Sequence, residues 1–414
     1  MKHLFIIISV LILIVSSCKK AEKHTIEPKY VSFKNTLDNK RIDESVVLSR
    51  DKILSILDSI PENSIPAFKD STGKTIPFQL DDLEKDGIWD ELSLALDFTP
   101  NQTIDLELTT ITKESIPSFT PRTNIRFGIG TNKTNVKEVL EQKRTGDPRA
   151  NDSIFYQMEG PAWENDKVGF RFYFDPRNGI DIFGKTTSEL VLDRVGLGDG
   201  NYHELDDWGM DILKVGNSLG AGSLAIKHND SLIRITGKDQ AEFKVITEGP
   251  IRSIFEMIYK NSKIGEQNVD ITHRVTIWKG QWGYQSKVFF KGITDQMKLV
   301  SGIVNLKPNE SHSKALKNYY CLDSFGQQSE NNDSLGMAIV VPTKEFITHD
   351  EAPKEKADIV QTYYTVMNAS NKEPTTFYFL SGWEQSDQQF KTYNGFEKMI
   401  ADKIKRLSNP ILIQ

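Results

Sequence analysis

Cysteine is nearly absent: the 414 residues hold two, Cys18 and Cys321. The first sits in a leader, so the rest of the chain has no partner for an intramolecular disulfide and must draw its stability from burial. Cys321, beside "KNYY" and without a catalytic-cysteine signature, reads as a small core residue. Concentrated positive charge is also missing. The 51 Lys and Arg stand against 57 Asp and Glu, for a net charge of -6, and no stretch is strongly basic. That excludes a nucleic-acid partner and leaves an anionic ligand to be met by local arginines. Helical periodicity is scarce, and the one long apolar run, residues 4–15, is shorter than the ~20 residues that span a bilayer.

That run follows Lys2 and His3 and ends in "VSSC", small residues directly before a cysteine. It reads as a lipoprotein signal peptide over residues 1–17, with Cys18 lipidated and residues 18–28 forming a charged tether. The expected location is the cell envelope, with the chain held to a membrane by its acyl anchor on the periplasmic or surface face. Beyond the tether the pattern is β. Short alternating runs such as "IDLELTTI", broken by "DSTG" and "TPNQ", predict a small β-sandwich over residues 29–116. After the Pro-containing stretch "KESIPSFTPRTN", longer aromatic and β-branched strands predict a large antiparallel sandwich over residues 117–414, two stacked sheets with a polar, concave outer face. Helices are expected only at "NVKEVLEQKR" and at the C-terminal "NGFEKMIADKIKRLS".

Four polar clusters carry the chemistry. In "FRFYF", Phe170, Phe172 and Phe174 facing the core would turn Arg171 and Tyr173 to the other side, a guanidinium beside a phenol suited to a sugar carboxylate. Upstream, "WEND" offers Trp163, Glu164 and Asn165 as a stacking ring, a carboxylate and an amide. The stretch "NYHELDDWGMDILKVGNSLGAG" reads as a loop bringing His203, Asp206, Asp207, Trp208 and Lys214 to a site. In it His203 is the proton-transfer group, oriented by Asp206 or Asp207, and the glycines allow close backbone approach. A metal held by His203, Glu204 and Asp206 is the weaker reading, so neither metal nor cofactor is expected. In "DITHRVTIW", His273 falls with the core residues and Arg274 faces the ligand side. Trp383 and Glu384 either reach the rim of the cleft or close the core. "DDLEKDGIWDEL" fails as a calcium loop because Ser93 stands where a bidentate glutamate is needed.

The motifs "GPAWENDKVGFRFYFDPRNGIDIFGK", "YHELDDWGMDILKVGNSLGAGS", "EGPIRSIFEMIY" and "NDSLGMAIVVP" resemble a family of Bacteroidota lipoproteins long classed as a domain of unknown function and found among polysaccharide-utilisation enzymes. "TEGPIRSIFE" is also similar to strands of the galactose-mutarotase-like β-supersandwich. The resemblance implies carbohydrate work in the envelope beside other polysaccharide-degrading enzymes. Similarity to members that act on ulvan implies a dehydratase, removing water from the terminal uronic acid of an acidic oligosaccharide. For that reaction the residues offer Arg171 as carboxylate clamp, supported by Asn165 or Arg274, with His203 and Tyr173 as the acid and base in either order. A polysaccharide lyase, a non-catalytic glycan-binding lipoprotein, and a glycoside hydrolase pairing Glu164 with Asp206 or Asp207 are the alternatives.

Overall fold

The computed structural model describes residues 28–150, 153–237 and 240–414. The signal peptide, Cys18 and nearly all of the tether therefore lie outside the described residues. The fold is mostly β.

The N-terminal unit is a sandwich of a four-stranded and a three-stranded sheet. Alternation in strands such as Arg41–Ser49 and Thr103–Thr112 turns Val46, Leu48, Leu106 and Leu108 inward onto Phe33, Phe68 and Phe98. Its larger sheet is completed by the far end of the chain, because Leu412–Ile413 pairs with Lys29–Lys34. Residues grouped by sequence with the large unit thus form an edge of the small one. A helix not anticipated from sequence, Arg50–Leu57, follows the second strand; the Ser49 hydroxyl caps it and Ile53 anchors it.

In the large unit a nine-stranded antiparallel sheet faces two five-stranded sheets. The two smaller sheets meet at a bridge between Ile180 and Gly220. Gly220 has φ +62°, and a Cβ there would lie 2.1 Å from the Ile180 carbonyl oxygen, so glycine is required. Phe170, Phe172, Phe174 and Trp163 fill the space between the layers with Phe255, Tyr284 and Phe379. One expected helix is absent. Residues 135–144 form short strands, and Glu141–Arg144 extends the nine-stranded sheet by pairing with Ala241–Thr247. Backbone pairing at an open sheet edge there outweighs a weak helical preference.

The C-terminal helix, Tyr393–Leu407, lies on the outer face of the nine-stranded sheet and buries Phe396, Ile400 and Ile404 against Cys321, Val340 and Leu380. Gly336 leaves room for the Phe396 ring, which a Cβ would meet at 2.5 Å. Phe396→Ala should therefore lower unfolding free energy by about 3–5 kcal/mol, read as a shifted midpoint in chemical denaturation. A loss below about 1 kcal/mol would mean that the helix is not held by this ring.

Candidate functional site

The five-stranded sheet built on Val168–Phe172 and Ile180–Lys185 is buried on both faces. One face meets the nine-stranded sheet. The other is covered by residues 186–208, which pack Val191, Leu192, Val195 and Trp208 against Met158, Ala162 and Phe183. The side expected to be an open sheet face is therefore an interior, and its polar residues must satisfy one another.

They do so around Arg171, whose side chain is 1% exposed and of whose nitrogens Nε alone finds no hydrogen-bond partner among the described residues. Arg171 and Asp181 are direct cross-strand partners. The Arg171 Nη2 donates to Asp181, to Asp211 Oδ2 at 3.1 Å and to the Tyr173 hydroxyl oxygen at 3.1 Å, while Nη1 donates to the Met158 carbonyl at 3.0 Å. The Tyr173 hydroxyl donates in turn to Asp181 at 2.8 Å. Burial opposes the Arg171 charge, but the oxygens of Tyr173, Asp181 and Asp211 outweigh it and hold the guanidinium charged. Burial, reinforced by the charge of Asp211, pushes the Asp181 carboxyl well above the usual carboxylate range. Burial and the Asp181 charge likewise push the Tyr173 hydroxyl far up, so it is no base near neutral pH.

His203 stands where this network reaches solvent. Its side chain is 56% exposed, and Nδ1 lies 3.3 Å from Asp211 Oδ2, which is 2% exposed. The imidazole rests on the Tyr202 ring at 4.4 Å. The hydrogen bond to Asp211 raises its pKa above the ordinary histidine value. Rings and cations alternate from here to the edge of the site. Arg171 lies 6.0 Å from the Tyr202 ring and 4.5 Å from the Tyr173 ring, and Arg177 covers Tyr173 at 4.1 Å. Arg177 is one-third exposed; it is held by Asp175 at 2.6 Å and Glu159 at 3.3 Å, and its Nη1 makes no hydrogen bond among the described residues.

The structure thus brings Arg171, Tyr173 and His203 together and separates the other residues predicted from sequence. Trp163 is fully buried in the core against Phe170 and Phe255, with no face for a sugar. Glu164 is buried, paired with Lys185, and accepts the Val191 and Leu192 amides at 2.6 and 2.8 Å. It pins the covering segment and cannot act in a hydrolase pair. Asn165 donates to the Trp278 and Gln281 carbonyls and accepts the Lys167 and Val168 amides, closing a turn. Trp208 is buried against Phe183. Asp206 and Asp207 are exposed; Asp206 caps the Asp207 amide and Asp207 faces Arg194. The orienting partner of His203 is therefore Asp211, not either of these. Glu204 bonds Asn201 instead of sharing a metal with His203. Lys214 is exposed.

Arg274 pairs with Glu256 at 2.7 Å on the far side of the molecule. Its neighbour His273 packs on Phe172, so Arg274 points away from that layer, and Phe172 likewise separates its own neighbour Arg171 to the opposite outer face. His273 is the buried histidine expected, with Nε2 2.8 Å from the Ser286 hydroxyl and burial driving its pKa down to about 3. Trp383 closes the core and donates to Asp333 at 2.6 Å. Asp82 accepts the Asp86 and Gly87 amides as an ordinary acidic turn. The residues that sequence reasoning did not assign are Asp181, Asp211 and Arg177.

The model of a family described as a domain of unknown function (DUF4861) matches residues 33–413. An uncharacterized protein, P7, of Formosa agariphila is 25% identical over 416 residues, covering 96% of this chain and 95% of its own. Among solved structures, an alpha-mannosidase from Enterococcus faecalis aligns with TM-score 0.48 and 10% identity over 93% of this chain and 46% of its own. A Klebsiella pneumoniae protein provisionally assigned as an aldose 1-epimerase aligns with TM-score 0.31 and 9% identity over 68% of this chain and 96% of its own. The chain spans about half the length of the mannosidase.

Two outcomes test the geometry. The His203 pKa, followed by NMR, should lie above about 6.5 and fall toward it in Asp211→Asn; an unshifted value in the parent chain would break the His203–Asp211 link. Because the folded-state pKa is raised, the pair stabilises the fold below the unfolded value and that contribution is lost as pH rises through the folded one. With His203 more than half exposed, solvent screening keeps it under about 1 kcal/mol. Arg171→Met, by contrast, strands two buried carboxylates and should cost about 3–5 kcal/mol in denaturation. A neutral result would sink the buried-network account.

Proposed function

As the chain belongs to that family, whose description carries no activity, we propose from its site and its motifs that it is a carbohydrate-active lyase, a dehydratase of uronic-acid-ended oligosaccharides of the ulvan type. The observation that carries this reading is the half-exposed His203 hydrogen-bonded to the buried Asp211, which Arg171 fixes from behind. The resemblance of the "FRFYF" and "YHELDDWGMDILKVG" motifs to polysaccharide-utilisation proteins supplies the substrate class. The reading includes an envelope location, with Cys18 as lipid attachment point.

With the Nδ1 proton donated to Asp211, Nε2 of neutral His203 is the open lone pair. It takes the C5 proton of the terminal uronic acid. The C5–H electron pair becomes the C4–C5 double bond, the C4–O bond breaks, and the proton passes from Nε2 to the leaving hydroxyl, which departs as water. One histidine serves as base and then acid, a role that the deeply buried Tyr173 cannot share. The C5 proton becomes removable only when the neighbouring carboxylate is neutralised. Arg171 is already engaged by Asp181 and Asp211, so the clamp falls to Arg177, through its open Nη1. Arg171 is a positioning residue that holds Asp211.

The test is mass spectrometry of defined uronic-acid-ended oligosaccharides after incubation with the protein. Loss of one water at constant chain length is expected; shorter chains would make the protein a polysaccharide lyase, and absence of product would favour a glycan-binding protein. His203→Ala should lower kcat by about 10²–10⁴-fold, Arg177→Ala should lower kcat as well as raise KM because it removes the neutralisation that proton abstraction needs, and Tyr173→Phe should retain most of the rate. Because the base is neutral His203 and its pKa is raised, kcat/KM should climb with pH along a limb centred above about 6.5. A limb centred below that value would exclude His203 as the base.

A further inference from the structure

On the opposite face of the molecule, where the N-terminal sandwich and the C-terminal helix meet the outer face of the nine-stranded sheet, lie two adjoining recesses. The wider, of about 640 Å³, is lined by Arg122, Lys167, Trp282, Met399 and Lys403 among others. The narrower, of about 300 Å³, has Arg252, Trp278, Gln285, Lys287, Tyr378 and Lys403 in its wall. Ser45, Gln281, Leu380 and Lys403 belong to both, so they form one cleft crossed by the hydrogen bond from the Lys403 ammonium to the Gln281 side-chain oxygen.

The charges here are unevenly matched. Glu91 is taken by Arg252 at 2.5 Å, Asp43 by Arg122 at 2.7 Å, and Glu44 by Arg41 at 2.6 Å. Asp402 lines the wider recess only. Lys403 and Lys287 form no ion pair among the described residues. The Lys403 ammonium donates to the Gln281 oxygen and lies 5.4 Å from the Tyr378 ring, and burial lowers its pKa to about 8, with the Glu44 charge acting in the opposite direction. Glu44, the carboxylate whose charge reaches Lys403, is already paired with Arg41 and Arg406; a cation held in a recess with its neighbouring carboxylate so engaged is costly, and an anion arriving beside it offsets that cost. The remaining lining has the types that hold a sugar: the Trp278 and Trp282 rings, the Gln285 amide bonded to the Tyr378 hydroxyl at 3.1 Å, and the Gln281 amide. The narrower volume suits one ring and the wider one its neighbour, at the small-ligand end of the usual pocket range of about 300–1,000 Å³.

We propose that this interdomain cleft is a second, non-catalytic site for an acidic saccharide, with the carboxylate or sulfate ester of one unit met by Lys403 and Lys287 and the adjoining unit in the wider recess. It is independent of the His203 site, which lies beyond the core on the other outer face. A bound oligosaccharide would bridge the N-terminal sandwich and the large sheet and tie them more firmly.

Calorimetric titration of the purified chain with digalacturonate, glucose 6-sulfate and maltose tests this. Binding of at least one of the two acidic probes is expected, with maltose much weaker; which of them binds identifies the anion as uronate or sulfate. The affinity should be unchanged in His203→Ala and fall at least roughly tenfold in both Lys403→Met and Lys287→Met. Lys287 is exposed at the sheet surface, so its variant carries the test if Lys403→Met does not fold. Equal binding in the folded lysine variants, equal binding of maltose, or loss confined to His203→Ala would overturn the second site, and so would failure of both acidic probes to bind. Loss of dehydratase activity in His203→Ala with this binding intact separates the two sites.

Discussion

The burial of Arg171 with Asp181 and Asp211 is the constraint around which the front of the molecule is arranged. One guanidinium and two carboxylates out of water are tolerable only if nearly all their polar atoms find partners, and in this cluster the Arg171 Nε is left without one among the described residues. That requirement explains why the covering segment, residues 186–208, is pinned by Glu164 through the Val191 and Leu192 amides. It also explains why the chain returns into the sheet immediately afterwards. Gly209, at φ +124°, lets the backbone pass so close to Gly184 that a Cβ would overlap its carbonyl oxygen at 1.8 Å. Two residues on, Asp211 reaches Arg171 from the edge strand. The close turn at glycine, the lid and the ion network are one solution to a single desolvation problem.

The back of the molecule meets its polar burden differently. Arg252, on the nine-stranded sheet, is held by Asp81 at 2.6 Å and by Glu91, both from the N-terminal sandwich, while Gln79 bonds the Arg252 backbone. The two units are therefore joined by charge and amide pairs, and the terminal strand Leu412–Ile413 adds backbone pairing. Polar interfaces of this kind leave recesses that apolar packing would close, and the cleft at Lys403 is such a recess.

What could be read from sequence was whatever depended on local period. The alternation in "FRFYF" correctly separated Phe170, Phe172 and Phe174 from Arg171 and Tyr173, and the same rule placed His273 in the core. What could not be read was which surfaces another segment would cover. Trp163 occupies a strand too short to show its phase, so the aromatic that resembled a sugar platform is a core ring. Arg274 has the right phase on the wrong sheet, since alternation says that a side chain leaves the core without saying to which side of the molecule. One missed residue was within reach. Arg171 and Asp181 are equidistant from Pro176 in the "DPRN" turn, so treating the two strands as a hairpin would have paired them. Asp211 was beyond reach, because its strand is set in place only after the covering segment has crossed the sheet.

The network also bears on the proposed role of His203 as both base and acid. The oxygen of Asp211 that accepts from His203 is the same one that faces Arg171, so the Asp211 charge is shared between a fixed cation and one that titrates. When His203 is neutral, Arg171 alone balances Asp211. When it is protonated, Asp211 is better neutralised, while Asp181, whose carboxyl is already driven toward its protonated form by burial, draws less on Arg171. Protonation of His203 therefore adds its positive charge at the solvent-exposed end of the network, directly beside Asp211. A carboxylate shared with Arg171 behind an exposed imidazole raises the pKa without fixing the proton permanently, which is what the proposed base and acid roles require.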